Sequence, residues 1–272
     1  MTSALAKATP GFPDLLRSWR KINKISQGAL SLETGISQRH LSFLESGRSS
    51  PSRAMVIRLA EALHLPLREQ NALLQAAGYA GEHLERRLDD NALKQARHAL
   101  DIMLKHHDPY GCIVIDRNWN LVMMNDATVR FFSHFVDPVT VWADVGGDQP
   151  NMMRVTLHEK GFRPYIENLN DFAGYFLRQL EQELANNPFN REAREMLDEF
   201  RGYGLVPEIP RTEGSLAAPF LPMKLRKGEL QLEIFTMVST FGTPQDVTLQ
   251  ELRIETFFPA NEVTEVFIRN LD

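Results

Sequence analysis

Between Gln27 and Ser49 the chain carries side chains able to hydrogen-bond the edges of bases and the oxygens of phosphates. Gln38, Arg39, His40, Ser42 and Phe43 occupy the outward positions of a short helix, while Leu41 and Leu44 recur three apart on its inner side. A glutamine amide can pair bidentately with adenine, and an arginine with guanine or with a phosphate. Phe43 either meets a thymine methyl or completes the core. Ser37 stands at the N-cap position and counts among the candidate contacts. Gln27 opens an earlier helix, where its amide can bind a phosphate beside the free N–H groups of the helix start. Arg48 and Ser49, in a loop running to Pro51, are placed for phosphate contacts.

These side chains need two short helices at a steep angle. Ala29, Leu30 and Leu32 are read as the apolar side of the first, and Gly35 breaks it. Glycine supplies the positive φ of a tight corner, Ile36 plugs the angle, and Ser37 starts the second helix. Two such helices form a helix-turn-helix, whose second helix enters the DNA major groove. Glu45 is expected to be structural, paired with Arg17 or Arg20, because a carboxylate facing the groove would be repelled by phosphates. Ser26, Gln27, Leu30, Gly35, Ile36, Ser37, Leu41, Ser42, Glu45, Gly47 and Pro51 fall in register with the Xre and lambda-repressor type of helix-turn-helix, which the stretch resembles; Ser31 stands where that family usually has alanine.

Around the motif the periodicity predicts a loose arm over residues 1–11 and a five-helix repressor-type head over residues 12–78. In the head, Leu15, Leu16, Trp19 and Ile22 mark the first helix, Met55 to Leu63 the fourth, and Leu73, Leu74 and Ala77 the fifth. Residues 79–90 read as a charged linker. Residues 1–82 hold ten Lys/Arg against six Asp/Glu, a net +4. The remaining 20 and 29 of the chain's 30 and 35 give −9 for residues 83–272. A basic head on an acidic body fits a nucleic-acid binder. The single Cys112 excludes an intrachain disulfide framework and suits a reducing cytoplasm as an inert buried thiol. The absence of a long apolar run and of a signal-peptide pattern predicts a cytoplasmic protein that does not engage membranes.

Residues 91–272 read as an α+β domain: a helix over 91–107, a hairpin from Cys112–Ile115 and Leu121–Met124, and an apolar helix to Phe135. Helices follow at 151–160, 172–184 and 191–200, then a loop over 205–222, then strands at 223–226, 230–241 and 252–258. The hairpin and the following Asn125 resemble the start of a PAS-type sensor with an antiparallel sheet. Trp119-Asn120 with Asn125, the Asn151-Met-Met-Arg154 helix and the run from Phe241 to Ala260 are similar to the MmyB-type ligand-binding domain that accompanies Xre-family regulators. That resemblance implies a small, apolar, fatty-acyl-like effector and no other cofactor. The residues themselves offer Trp119, Phe131, Phe132, Phe135, Phe172 and Phe176, with Met153, as cavity-forming volume. Arg154 and Arg163 could grip a carboxylate; pairing with internal acids is the other reading.

No enzyme is expected. His106-His107-Asp108 near His98 has metal-ligand types without a diagnostic spacing, so no metal site is assigned. There is no Gly-rich phosphate loop and no nucleophile with a partner. Glu251, Glu255 and Glu262 read as exposed strand and loop positions. The expected function is therefore a sequence-specific transcription regulator binding a palindromic double-stranded operator as a homodimer. The alternative is a protein-interaction module of adaptor or antitoxin type with a structural C-terminal domain.

Overall fold

The computed structural model describes residues 10–145, 149–205 and 220–271. Residues 1–9 of the arm expected over 1–11, and most of the expected loop over 205–222, lie outside the described residues. The chain divides into two compact units: Met1–Arg86 with Thr243–Gln250, and Arg87–Gly242 with Glu251–Asp272.

The first unit holds α1 (Phe12–Ile22), α2 (Gln27–Thr34), α3 (Gln38–Glu45), α4 (Arg53–Ala62) and α5 (Leu67–Ala76). Ser26, Ser37 and Ser52 cap α2, α3 and α4, each hydroxyl accepting from the backbone N–H three residues on. Gly35 turns the corner between α2 and α3 with φ of 68°. The core joins Leu16, Leu30, Leu41, Leu44, Leu59 and Leu73, all fully buried. Leu32 corrects the reading of α2: it is 89% exposed, because two residues is about 200° around a helix, and Thr34 is buried instead.

The expected linker is fastened to this unit as far as Arg86. Its charges are spent on Arg53–Glu82 and Arg68–Glu85 pairs, and the Asn71 carboxamide oxygen accepts from the N–H groups of Glu82 and His83. The short segment Thr243–Gln250 joins the same unit. Its Asp246 pairs with Arg86 at 3.0 Å, the Val247 N–H donates to Leu84, and Gln250 accepts from the first N–H of α5 at 2.8 Å.

The second unit is α+β. Its elements are α6 (Lys94–His106), β1 (Cys112–Ile115), β2 (Leu121–Met124), α7 (Asp126–Phe135), α8 (Pro138–Val145), α9 (Met152–Leu157), α10 (Leu169–Asn186), α11 (Arg191–Gly202), β3 (Met223–Lys227), β4 (Leu230–Ser239), β5 (Arg253–Pro259) and α13 (Glu262–Arg269); α12 (Val247–Glu251) falls between β4 and β5 in the chain. Through Gln250, α12 belongs to the first unit. The strands form one antiparallel sheet in the order β2-β1-β5-β4-β3, the sheet of the PAS-like fold. α13 was not anticipated; Asn261 caps it through the Thr264 N–H at 2.9 Å.

Asn125 ties three elements of this unit. Its carbonyl oxygen accepts from the N–H groups of Cys112 and Thr128, and its amide donates to the carbonyls of Leu104 and Tyr110 at 3.1 and 2.8 Å. The bonds to Cys112, Thr128 and Leu104 are buried and that to Tyr110 partly so, and each buried bond lost leaves an unpaired group in the interior. Replacing Asn125 by Ala should therefore cost about 3 kcal/mol, the sum of a lost cap and of stranded backbone groups. Urea unfolding of the full chain checks this, and a loss under about 1 kcal/mol would contradict the role.

Candidate DNA-reading face and effector cavity

The orientation of α3 is set by its last residue. Glu45 is buried, and Arg20 of α1 grips it with two bonds, Nε to Oε1 at 2.5 Å and Nη2 to Oε2 at 2.9 Å. Arg17 adds a bond to the Glu45 carbonyl. The pairing expected with Arg17 or Arg20 thus falls on both, the side chain on Arg20 and the backbone on Arg17. Burial alone would raise the Glu45 pKa, but the hydrogen bonds from Arg20 and Gln27 and the nearby guanidinium charges outweigh it and hold it below the ordinary carboxylate value.

The remaining side chains of α3 divide between reader and scaffold. Gln38, Arg39 and Ser42 are exposed, with the Arg39 guanidinium 5.5 Å from the centre of the Phe43 ring, itself half-buried. That stacking limits the rotamers of Arg39. Ser37 is exposed with its oxygen engaged by the His40 N–H at 3.2 Å. His40 corrects its expectation: it is half-buried, and its Nε2 is enclosed without a hydrogen-bond partner, so that atom does not face outward. Gln27 is likewise turned inward, its amide donating to Glu45 Oε2 at 2.9 Å, so a phosphate would have to draw it from that carboxylate. Arg48 is exposed and Ser49 half-buried in the loop after α3.

In the second unit a cavity of about 210 Å³ lies between the sheet and the helices. Of the aromatic residues named from sequence, Trp119, Phe131, Phe132, Phe172 and Phe176 line it. Trp119 has φ of 67°, a strained value for a bulky residue, and its ring meets Phe176 edge-on at 5.3 Å. The turn that holds it is knotted by Asp116, whose carboxylate accepts from the N–H groups of Asn118 and Asn120 at 2.8 and 2.9 Å. Phe135 packs beside the cavity on Phe162, Phe131 and Tyr165, and Met153 is fully buried in the core; neither is a lining residue.

Arg154 does not line the cavity either. Its guanidinium pairs with Glu199 of α11 at 2.9 Å, and the Tyr203 hydroxyl donates to the same carboxylate. Arg163 donates to the Tyr203 carbonyl. Arg154 thus follows the reading as an internal acid pair, whereas the bond of Arg163 goes to a backbone carbonyl.

Glu255 was missed. It faces the cavity from β5, in register with Ile113 and Val238, and the Thr236 hydroxyl hydrogen-bonds its carboxylate. This corrects its reading as an exposed strand position; Glu251 is half-buried too, paired with Arg117 at 3.4 Å. Burial pushes the Glu255 pKa above the ordinary carboxylate value. Burial, with the Glu255 charge, also pushes the Cys112 thiol up to about 11, so the buried cysteine stays a thiol.

His107 Nε2 lies 3.0 Å from the Phe257 carbonyl, and no group of three or more His, Cys, Asp or Glu is arranged for a metal among the described residues. Among the same residues no helix is long and apolar enough to cross a membrane.

The family of helix-turn-helix proteins matches residues 16–70, and that of the MmyB-like transcription regulator ligand binding domain matches residues 96–271. The chain belongs to the helix-turn-helix transcription regulators with an MmyB-like ligand-binding domain. It is a DNA-binding transcription regulator. No curated protein sequence matches it.

The lowered Glu45 pKa has a pH consequence. A depressed carboxylate contributes stability that is full above its unfolded value of about 4.3 and is lost as pH falls through the folded value. Unfolding free energy should therefore fall on acidification from about pH 5, with a shallower slope in Glu45→Gln and lower stability at neutral pH by about 3 kcal/mol. An unchanged slope in the variant would show that Arg20 does not hold this carboxylate.

Proposed function

We propose that this regulator works in the cytoplasm as a homodimer on a palindromic operator, with Gln38 and Arg39 reading base edges in the major groove. Exposure of these two side chains on α3, with Glu45 anchored on the opposite side, is the observation that carries this reading. Arg48 and Ser49 hold the phosphate backbone, and Ser42 completes the edge that meets the groove. A helix of eight residues touches only a few base pairs, so specificity calls for two half-sites and a two-fold protein.

The second unit senses a small, largely apolar effector, fatty-acyl-like in its tail. The cavity supports this. A space of about 210 Å³ walled mainly by aromatic and aliphatic side chains suits a compact apolar ligand. A fold retains such a space where occupancy has a use. The volume is below the common range of drug-sized pockets, which points to a compact ligand. To act as a switch, the effector must bind two arrangements of the regulator with different affinity.

Binding sites mapped across the genome supply a duplex for the test. On that duplex, Gln38→Ala and Arg39→Ala should each lose about 1–3 kcal/mol, or roughly tenfold to a hundredfold in affinity, with discrimination against mutated sites reduced. Arg48→Ala should weaken all sequences alike and lower the salt dependence. Unchanged specific binding in both reader variants would overturn the assignment. Failure to bind any duplex at low salt would favour an adaptor role.

A further inference from the structure

The chain passes between the two units at Arg86 to Arg87, at Gly242 to Thr243 and at Gln250 to Glu251. The last two crossings bracket a segment set into the β4–β5 connection. These strands are antiparallel neighbours, paired as far as Ser239 with Ile254, and such a pair can close through about two residues. The connection runs instead over residues 240–253, and its extra length goes to the head.

Within the head the segment is held at several points. Gln250 supplies the cap that α5 lacks: Pro66 stands at the N-cap position with no side-chain acceptor, and the Leu67 N–H donates to Gln250 Oε1 at 2.8 Å. Asp246 is buried; its carboxylate pairs with Arg86 at 3.0 Å and accepts from the Thr248 N–H. The Thr248 hydroxyl donates to the Arg86 carbonyl at 2.6 Å, and the Val247 N–H to that of Leu84 at 2.9 Å. From α5 the path continues inward, because α5 packs on α1, whose Arg20 holds Glu45 of α3.

Both ends of the segment also lead to the cavity wall. β4 gives the wall Ile234, Phe235 and Thr236 before the segment, and β5 gives it Glu255 and Phe257 after it. Glu251, the residue that follows Gln250, pairs with Arg117 at 3.4 Å in the turn that sets Trp119 in the same wall. α6, which follows the crossing at Arg87, contributes no residue to the wall.

We propose that residues 243–250 are a strap coupling the effector cavity to the DNA-reading head, and that the signal enters the head at the start of α5 rather than through the linker and α6. The inference rests on the reading of this cavity as the effector site, since the strands that the strap joins are its wall. Strands displaced as the cavity fills pull on a segment that the head holds by a cap, an ion pair and two further hydrogen bonds. Such coupling is reciprocal: if occupancy of the cavity alters DNA affinity, DNA on the head alters the local opening of β4 and β5.

Amide hydrogen exchange on the full chain, with and without a saturating mapped duplex, tests this. In the natural protein the duplex should change exchange in β4, residues 243–250 and β5 by about fivefold or more, the low end of coupling between linked sites, and leave α6 unchanged. The double variant Asp246→Ala, Gln250→Ala frees the strap from Arg86 and from α5. It should still bind the duplex and show its imprint on α3, but lose the response of β4 and β5. Strands that do not respond to the duplex in the natural protein would overturn the proposal, as would a response of the second unit confined to α6. These two readings stand even if the variant does not fold. A response of β4 and β5 that persists in the variant would overturn it as well. No effector enters the experiment, so each of these failures removes the strap and leaves the reading of the cavity standing.

Discussion

A carboxylate buried at the end of a helix must be met by a cation, and in this protein that demand fixes the DNA-binding face. Glu45 is the last residue of α3, and Arg20 closes on it from α1 with two hydrogen bonds. Paired in this way the charge is tolerated inside; with one partner removed, it would be strongly destabilising. The same bond fixes the rotation of α3 about its axis. Leu41 and Leu44 go to the core, and Gln38, Arg39 and Ser42 go to solvent. Gln27, whose amide joins the carboxylate, links the start of α2 to the end of α3. The reading edge is thus held from behind, by groups that need never touch DNA.

The second unit is organised by the opposite constraint, a space that must stay open. Hydrogen bonds add to the packing that holds its surroundings. Asn125 pins the start of β1 and α7, Asp116 ties the turn before β2, and Asn151 caps α9 while donating to Asn118 and Asn120. These polar clasps fix the backbone from which the aromatic rings, in contact with one another, stand around the cavity. The strained backbone of Trp119 belongs to this arrangement, since strain of that kind persists only where its surroundings over-determine it.

Much of this was legible in the sequence because the signals are local. The capping serines, Gly35 at the corner and the spacing of Leu41 and Leu44 all act within a turn or two of the chain. The five-stranded antiparallel sheet announced itself through runs such as Cys112–Ile115. The failures share a different cause: they depend on partners distant in sequence. Nothing near Thr243 tells that this segment packs with residues 1–86, more than 150 positions away. His40 reads as an outward polar residue until the enclosure of its ring is seen. Glu255 lies on β5, a central strand where Ile254 and Phe257, on opposite faces, are both buried, so no alternation marks which face is wet. Arg154, by contrast, had its true partner, Glu199, in the charged stretch recognised as a helix; only their pairing was hidden.

The central claim is that α3 presents Arg39 and Gln38 to base edges in the major groove. Dimethyl sulfate interference on a mapped operator tests it most directly, because methylation at guanine N7 marks the major groove and at adenine N3 the minor groove. The account predicts strong interference at a guanine N7 in each of two half-sites, centred about one helical turn or a multiple of it apart. Interference confined to adenine N3, or none at any base within a bound site, would contradict it.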